Sequence, residues 1–217
     1  MSKGFLQIFE KLYAYYGPQY WWPADTVFEM LIGAILVQNT NWNNVEKALI
    51  RLRPVLHPEK IASLKTDELA ALIRPSGYYN VKAKRIKAFL AWFKKYDYNI
   101  DKIKQLSLVD LRKQLLNIRG VGKETADCML VYAFEKPIFI VDTYARRLFK
   151  RIGLQMPDDY DDFRTQVEAS LPDNPKLYNE YHALIVEHGK VHCKRKPICY
   201  ECPLFHVCDQ QIEDNIT

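Results

Sequence analysis

Three groups of residues in this 217-residue chain have the types and spacing to do chemistry. The first is a glycine turn, Gly120-Val121-Gly122, followed at once by Lys123 and a helical pattern. Glycine permits positive backbone dihedrals and close approach of another chain, and a helix start presents amide groups and the positive end of its dipole. Such a turn can cradle a phosphate, with Lys123 adding a charge-assisted contact. The second is Asp142, in the stretch Ile140-Val141-Asp142-Thr143-Tyr144. A carboxylate there can cap the helix that follows, and it can also stabilise positive charge developing on a substrate or orient an attacking water. The third is Cys193, Cys199, Cys202 and Cys208, spaced C-x5-C-x2-C-x5-C. Four thiolates so close along the chain make a compact site, and zinc and an iron-sulfur cluster fit them equally well on chemistry alone.

The elements that must position these groups are helical. Phe5, Ile8, Phe9 and Leu12 fall at helix spacing, as do Leu111, Leu115 and Ile118, while period-two alternation is scarce. Breakers at Gly17-Pro18, Pro23, Pro54, Pro58, Pro75-Ser76-Gly77, Gly120-Val121-Gly122, Pro137 and from Pro172 to Pro175 divide the chain into roughly ten short helices. Ser107-Leu108-Val109-Asp110 predicts a capped start for the helix leading into the glycine turn. The expected fold class is all-α.

Composition narrows the compartment more than the function. A net charge of +5 is compatible with a polyanionic partner but does not single one out. The longest apolar run, Met30 to Val37, falls far short of the roughly 20 residues that span a bilayer. The N-terminal stretch reads as an amphipathic helix rather than a secretory leader. The expectation is a cytoplasmic, nucleoid-associated protein of a prokaryote, with no membrane partner and a monomeric state. In that reducing compartment five cysteines argue for metal or cluster ligation over disulfides. Cys128 stands apart from the four and reads as a small core residue.

The stretch Leu116-Asn117-Ile118-Arg119-Gly120-Val121-Gly122-Lys123-Glu124-Thr125-Ala126-Asp127, with Asp142 downstream, resembles the helix-hairpin-helix and catalytic-aspartate signature of the endonuclease III superfamily of DNA glycosylases. The resemblance extends over most of the chain. It implies a two-domain helix-hairpin-helix glycosylase fold, with a six-helix domain over 23–134 and a second domain from 1–22 plus 135–217 that ends in an iron-sulfur cluster loop. Substrate and catalytic residues would lie in the cleft between them. The implied partner is damaged double-stranded DNA. Cleaving an N-glycosidic bond builds positive charge on the sugar, the charge that Asp142 would stabilise.

Two departures from the family pattern matter. Glu124 stands where the bifunctional members carry a nucleophilic lysine, and a carboxylate cannot form the Schiff base that leads to strand cleavage. Lys123 is one position away, about 100° around a helix. The resemblance therefore implies a monofunctional enzyme. The cysteine motif is also one residue shorter in its first loop than the superfamily's C-x6-C-x2-C-x5-C. The resemblance implies a [4Fe-4S] cluster on Cys193, Cys199, Cys202 and Cys208, with zinc as the alternative, and an ordered basic run Lys194-Arg195-Lys196 facing the phosphate backbone.

Within the superfamily, Tyr20-Trp21-Trp22-Pro23 and Gln38-Asn39-Thr40-Asn41-Trp42 resemble the 3-methyladenine DNA glycosylase branch. Trp21, Trp22, Pro23 and Trp42 are thereby expected to line the base pocket, and Gln38 to fill the gap left by an extruded nucleotide. An alkylated purine is cationic, so it stacks well on indole, by ~0.5 to 2 kcal/mol. Tyr78-Tyr79-Asn80-Val81-Lys82-Ala83 resembles a family turn whose helix start approaches DNA, which makes Lys82 a candidate contact. Arg147 matches a family arginine expected to support the cleft, and His182 and His188 are expected to be structural. Two rival readings stand beside this one: a glycosylase for mismatched or oxidised bases, and a non-catalytic lesion-binding protein.

Overall fold

The structure, a computed structural model, describes residues 4–210 and 212. Among them are twelve α-helices and short 3-10 turns, and no strand. No helix of the described residues is long and apolar enough to cross a membrane. The chain divides into two compact units, one of residues 22–136 and one of residues 1–21 with 137–217.

In the 22–136 unit the helices are α2 (Val27–Leu36), α3 (Trp42–Leu52), α4 (Pro58–Ser63), α5 (Thr66–Leu72), α6 (Tyr79–Phe93), α7 (Ile100–Lys104), α8 (Leu108–Leu116) and α9 (Lys123–Tyr132), preceded in the chain by α1 (Phe5–Tyr16) of the other unit. Every residue of α2 from Glu29 to Leu36 is buried. A helix apolar on all sides belongs at the centre of a domain, and α3, α6 and α9 pack around it. Thr26 caps α2 by accepting the Glu29 N–H at 3.1 Å. Ser107 caps α8 in the same way, accepting from Asp110 N at 3.0 Å. Asp110 is too short for the full reciprocal box, and its carboxylate takes the Ser107 hydroxyl at 2.7 Å.

The other unit holds α1, α10 (Thr143–Ile152), α11 (Tyr160–Glu168) and α12 (Pro175–Val191). Its core is aromatic: Phe139, Phe149 and Phe163 stack in sequence, and Tyr181 meets Phe139 edge-on. Full burial of each such ring stabilises by roughly 1.5–3 kcal/mol. Tyr181 keeps its hydroxyl satisfied by donating to Phe5 O at 2.8 Å, which ties α1 to α12.

Candidate active site

The glycine turn joins α8 to α9, and its two glycines do different work. Gly120 has φ +90°, a conformation that L side chains rarely adopt, and a Cβ there would collide with the Arg85 side chain. Gly122 is the N-cap of α9 with φ −90°, so the expectation of a positive dihedral holds at Gly120 alone. What Gly122 contributes is open space, since nothing lies within 4 Å of where its Cβ would be. It also supplies no capping side chain at the positive end of α9. Lys123 is half-buried and Glu124 exposed in the first turn of that helix.

Gln38, placed just beyond α2, holds this turn. Its Nε2 donates to Gly120 O at 3.0 Å and to Thr125 Oγ1 at 2.9 Å. Its Oε1 in turn accepts from the Arg85 guanidinium.

Lys82 requires a correction. It is 1% exposed, and its ammonium donates to Leu36 O at 2.8 Å and Ser76 O at 2.6 Å, so it does not face DNA. The reason lies in α2, whose last carbonyls need donors and whose C-terminal dipole favours a cation. Burial, with a smaller push from Arg85, lowers the Lys82 pKa to about 8. Lys87 serves the end of α4 similarly, donating to Ile61 O, Ala62 O and Leu64 O. Of the cations Lys82, Lys84, Arg85 and Lys87 on α6, Lys84 alone is exposed. Exposed at the start of α6 are instead Tyr78, 71% exposed with φ +46°, Asn80 and Val81.

Asp142 is the N-cap of α10, its Oδ1 accepting the Ala145 N–H at 2.7 Å. The stretch before it, Ile138 to Val141, has no regular secondary structure and is buried. Phe139 N donates to Glu168 Oε1 at 2.8 Å and Val141 N to the Tyr160 hydroxyl at 3.3 Å, so α11 fixes the approach to the aspartate. Asp142 is 9% exposed, and its Oδ2 lies 3.5 Å from Nε2 of His182 on α12.

The four expected pocket residues fall in two sets. Trp22 and Trp42 meet edge-to-face at 5.4 Å over Gly33 of α2, where a Cβ would sit 3.5 Å from Trp22 Nε1 and 3.6 Å from Trp42 Cη2. Trp22 also packs on Tyr132 at 5.1 Å, and Pro23 is exposed. Trp21 belongs to the unit of Asp142. There its ring lies 6.1 Å from the His182 ring, with Lys190 Nζ 5.0 Å from its centroid.

None of the four C-terminal cysteines is in a disulfide, and all four line one cavity, together with His188, His192 and Arg151. Burial pushes the Cys202 thiol up to about 11, with further pushes from Cys193, Cys208 and Cys199. Among the described residues no set of three or more His, Cys, Asp or Glu is gathered tightly enough for a single metal ion. Arginines on α10 clamp the loop. Arg147 Nε donates to Cys193 O at 2.8 Å, and Arg151 donates to Lys194 O and, at 3.1 Å, to Arg195 O. Lys194, Arg195 and Lys196 are thereby held exposed.

Residues 32–173 match the family described as HhH-GPD superfamily base excision DNA repair protein. The chain belongs to that family. It is 42% identical over 207 residues to the Methanocaldococcus jannaschii protein MJ1434, whose name places it among the DNA repair glycosylases, with 93% of this chain and 94% of that protein covered. Its fold is similar to a Helicobacter pylori 3-methyladenine DNA glycosylase, MagIII, bound to 1,N6-ethenoadenine (TM-score 0.76, 30% identity, 86% and 97% of the two chains). It is also similar to a trapped endonuclease III–DNA covalent intermediate (TM-score 0.80, 26% identity, 96% and 97%).

Contacts made by three residues of this HhH-GPD protein escaped the sequence reading. Arg85 sits in a run of cations that looks like a solvated face. Arg147, expected to support the cleft, donates to the backbone of the first cysteine. His182 lies beside the aspartate although 40 residues separate them in the chain, and only the family pairing of the two stretches could have suggested it.

Proposed function

We propose that the protein is a monofunctional DNA glycosylase that excises alkylated purines, such as 3-methyladenine, from duplex DNA in base excision repair. The observation that carries the reading is Asp142, a nearly buried carboxylate pinned through one oxygen at the start of α10. Such a group can stabilise the oxocarbenium character of the deoxyribose or orient water on C1′. Glu124 in the first turn of α9 offers no amine, so base release ends in hydrolysis rather than a Schiff base. Gly120, Gly122, Lys123 and the exposed run 194–196 would hold phosphates, and Gln38 would position the turn and fill the gap left by the extruded nucleotide.

The edge-to-face pair of Trp22 and Trp42, with Trp21 and Pro23, is the proposed base pocket. Electron-rich indoles favour a cationic base, and the lability of that base lowers the barrier further. Similarity to the Helicobacter pylori enzyme supports this substrate class. Similarity to endonuclease III supports a second reading, a glycosylase for other damaged bases.

Cys193, Cys199, Cys202 and Cys208 would hold a [4Fe-4S] cluster. Four cysteines lining one cavity fit such a group in donor type and number, with zinc the alternative. When bound, the cluster cross-links the C-terminal loop.

Chromatography of bases released from heavily methylated duplex DNA, with wild type and Asp142→Asn side by side, tests the proposal. Methylated purines released by wild type alone are expected. Release by neither, with DNA binding intact, would move the substrate to another lesion.

A further inference from the structure

We infer that His182 is the positioning residue of the Asp142 carboxylate, an inference that rests on Asp142 being the catalytic group. The two side chains face each other from the start of α10 and the middle of α12. Nε2 lies 3.5 Å from Oδ2, His182 is 5% exposed and Asp142 is 9% exposed. Oδ1 is already held by the Ala145 N–H at 2.7 Å. One anchored oxygen leaves a carboxylate free to swing about its Cβ–Cγ bond. A donor facing the other oxygen fixes the plane.

A neutral imidazole with its proton on Nε2 supplies that donor. It also leaves the negative charge in place, which a carboxylate needs if it is to stabilise a developing cation. The separation is at the outer edge of a hydrogen bond, and catalytic hydrogen bonds are often long before substrate tightens them.

Behind the pair stands Trp21, its ring 6.1 Å from the imidazole and tilted by 57°. Lys190 Nζ lies over the Trp21 ring, 5.0 Å from its centroid. The chain entering Trp21 is fixed in turn by Gln19 N donating to Glu180 Oε1, on the same helix as His182. A proposed pocket residue therefore packs on the group that orients the carboxylate. Trp21 and Asp142 thus meet the same imidazole.

The test compares His182→Gln with His182→Asn in single-turnover release of methylated purines from methylated duplex DNA. Glutamine places its amide nitrogen where imidazole Nε2 stands, and asparagine places its own where Nδ1 stands. A filler role makes the two variants alike. The positioning role predicts that Gln stays within about threefold of wild type while Asn falls at least tenfold, with affinity for duplex DNA carrying a stable abasic analogue unchanged in both. Equal rates in the two variants would overturn the inference. Asp142→Asn separates the two levels. If it is inactive while His182→Asn is fully active, the positioning role alone falls. If it releases purines like wild type, the catalytic reading of Asp142 falls and takes this inference with it.

Discussion

Arg85 donates its guanidinium to the amide oxygen of Gln38, and the amide nitrogen of Gln38 reaches both Gly120 O and Thr125 Oγ1. A helix that never enters the hairpin thus fixes its turn through one glutamine. Gln38→Ala removes three hydrogen bonds at once, each worth about 1 kcal/mol net. Thermal unfolding should register a loss of about 1–3 kcal/mol. Anisotropy titrations should show weaker binding to damaged and undamaged duplexes alike, because phosphate contacts carry no sequence information. Weaker binding to damaged duplex alone would assign Gln38 to the extruded base instead.

The two glycines of the turn should separate stability from binding. Gly120→Ala forces an L side chain into a positive φ and against Arg85, and should destabilise by about 1–3 kcal/mol. Gly122→Ala has an ordinary φ and open space around its new methyl, so its unfolding curve should overlay wild type. If a phosphate backbone approaches α9 there, the same methyl should weaken DNA binding about tenfold, roughly 1.4 kcal/mol. A Gly122→Ala protein that binds normally would leave the cradle without its close approach.

Lys82 and the run at 194–196 make the opposite pair. Lys82→Met strips the donor from Leu36 O and Ser76 O and should cost about 2 kcal/mol or more, with the salt dependence of DNA binding unchanged. Replacing Lys194, Arg195 and Lys196 with alanine should leave stability alone and flatten the plot of log affinity against log salt by about 0.9 for each phosphate that is no longer neutralised. Lys82 also leaves a pH signature. The unfolded chain keeps its proton up to the ordinary 10.5 and the folded chain only to about 8, so between those values the unfolded state binds more protons. Stability from this group therefore rises as pH climbs through that window. Denaturant titrations of wild type against Lys82→Met across it would detect the difference.

Local signals in the chain carried the parts of the fold that depend on neighbours in sequence. The Ser107 cap, the Gly120 turn and the helix that Asp142 caps are each decided within a few residues. What stayed hidden depends on partners far along the chain. Lys82 and Lys87 look like surface cations, yet the open carbonyl ends of α2 and α4 draw them inward. Arg147 reads as a support of the cleft, and only the folded loop shows that it and Arg151 hold the backbone at Cys193 to Arg195. Helix periodicity separates buried from exposed positions on average. It cannot tell which long side chain will find an unsatisfied carbonyl.

The cysteine loop should report its occupant directly. Protein purified without oxygen should be brown and carry about four irons per chain, against one zinc for the alternative. Cys202→Ser should lose the colour. It should also weaken DNA binding, since the loop presenting residues 194–196 loses its cross-link. A colourless wild-type protein with one zinc per chain would replace the cluster while leaving the loop's role intact.

Glu124 offers a gain-of-function test of the missing lysine. It is exposed in the first turn of α9, so a longer cationic side chain fits without repacking, at a cost of about 0.3–1 kcal/mol for placing a cation at the positive end of a helix. Wild type should give no covalent adduct when borohydride is added with DNA containing an abasic site, because no amine stands at that position. Glu124→Lys should yield a trapped adduct, since a lysine there attacks C1′ to form a reducible Schiff base. Adduct from wild type would show that another amine reaches the sugar, with Lys123 the first to examine, and the enzyme would then be bifunctional. If Glu124→Lys binds abasic DNA normally yet traps nothing, the start of α9 does not face the sugar, and the absent lysine no longer explains hydrolysis without strand cleavage.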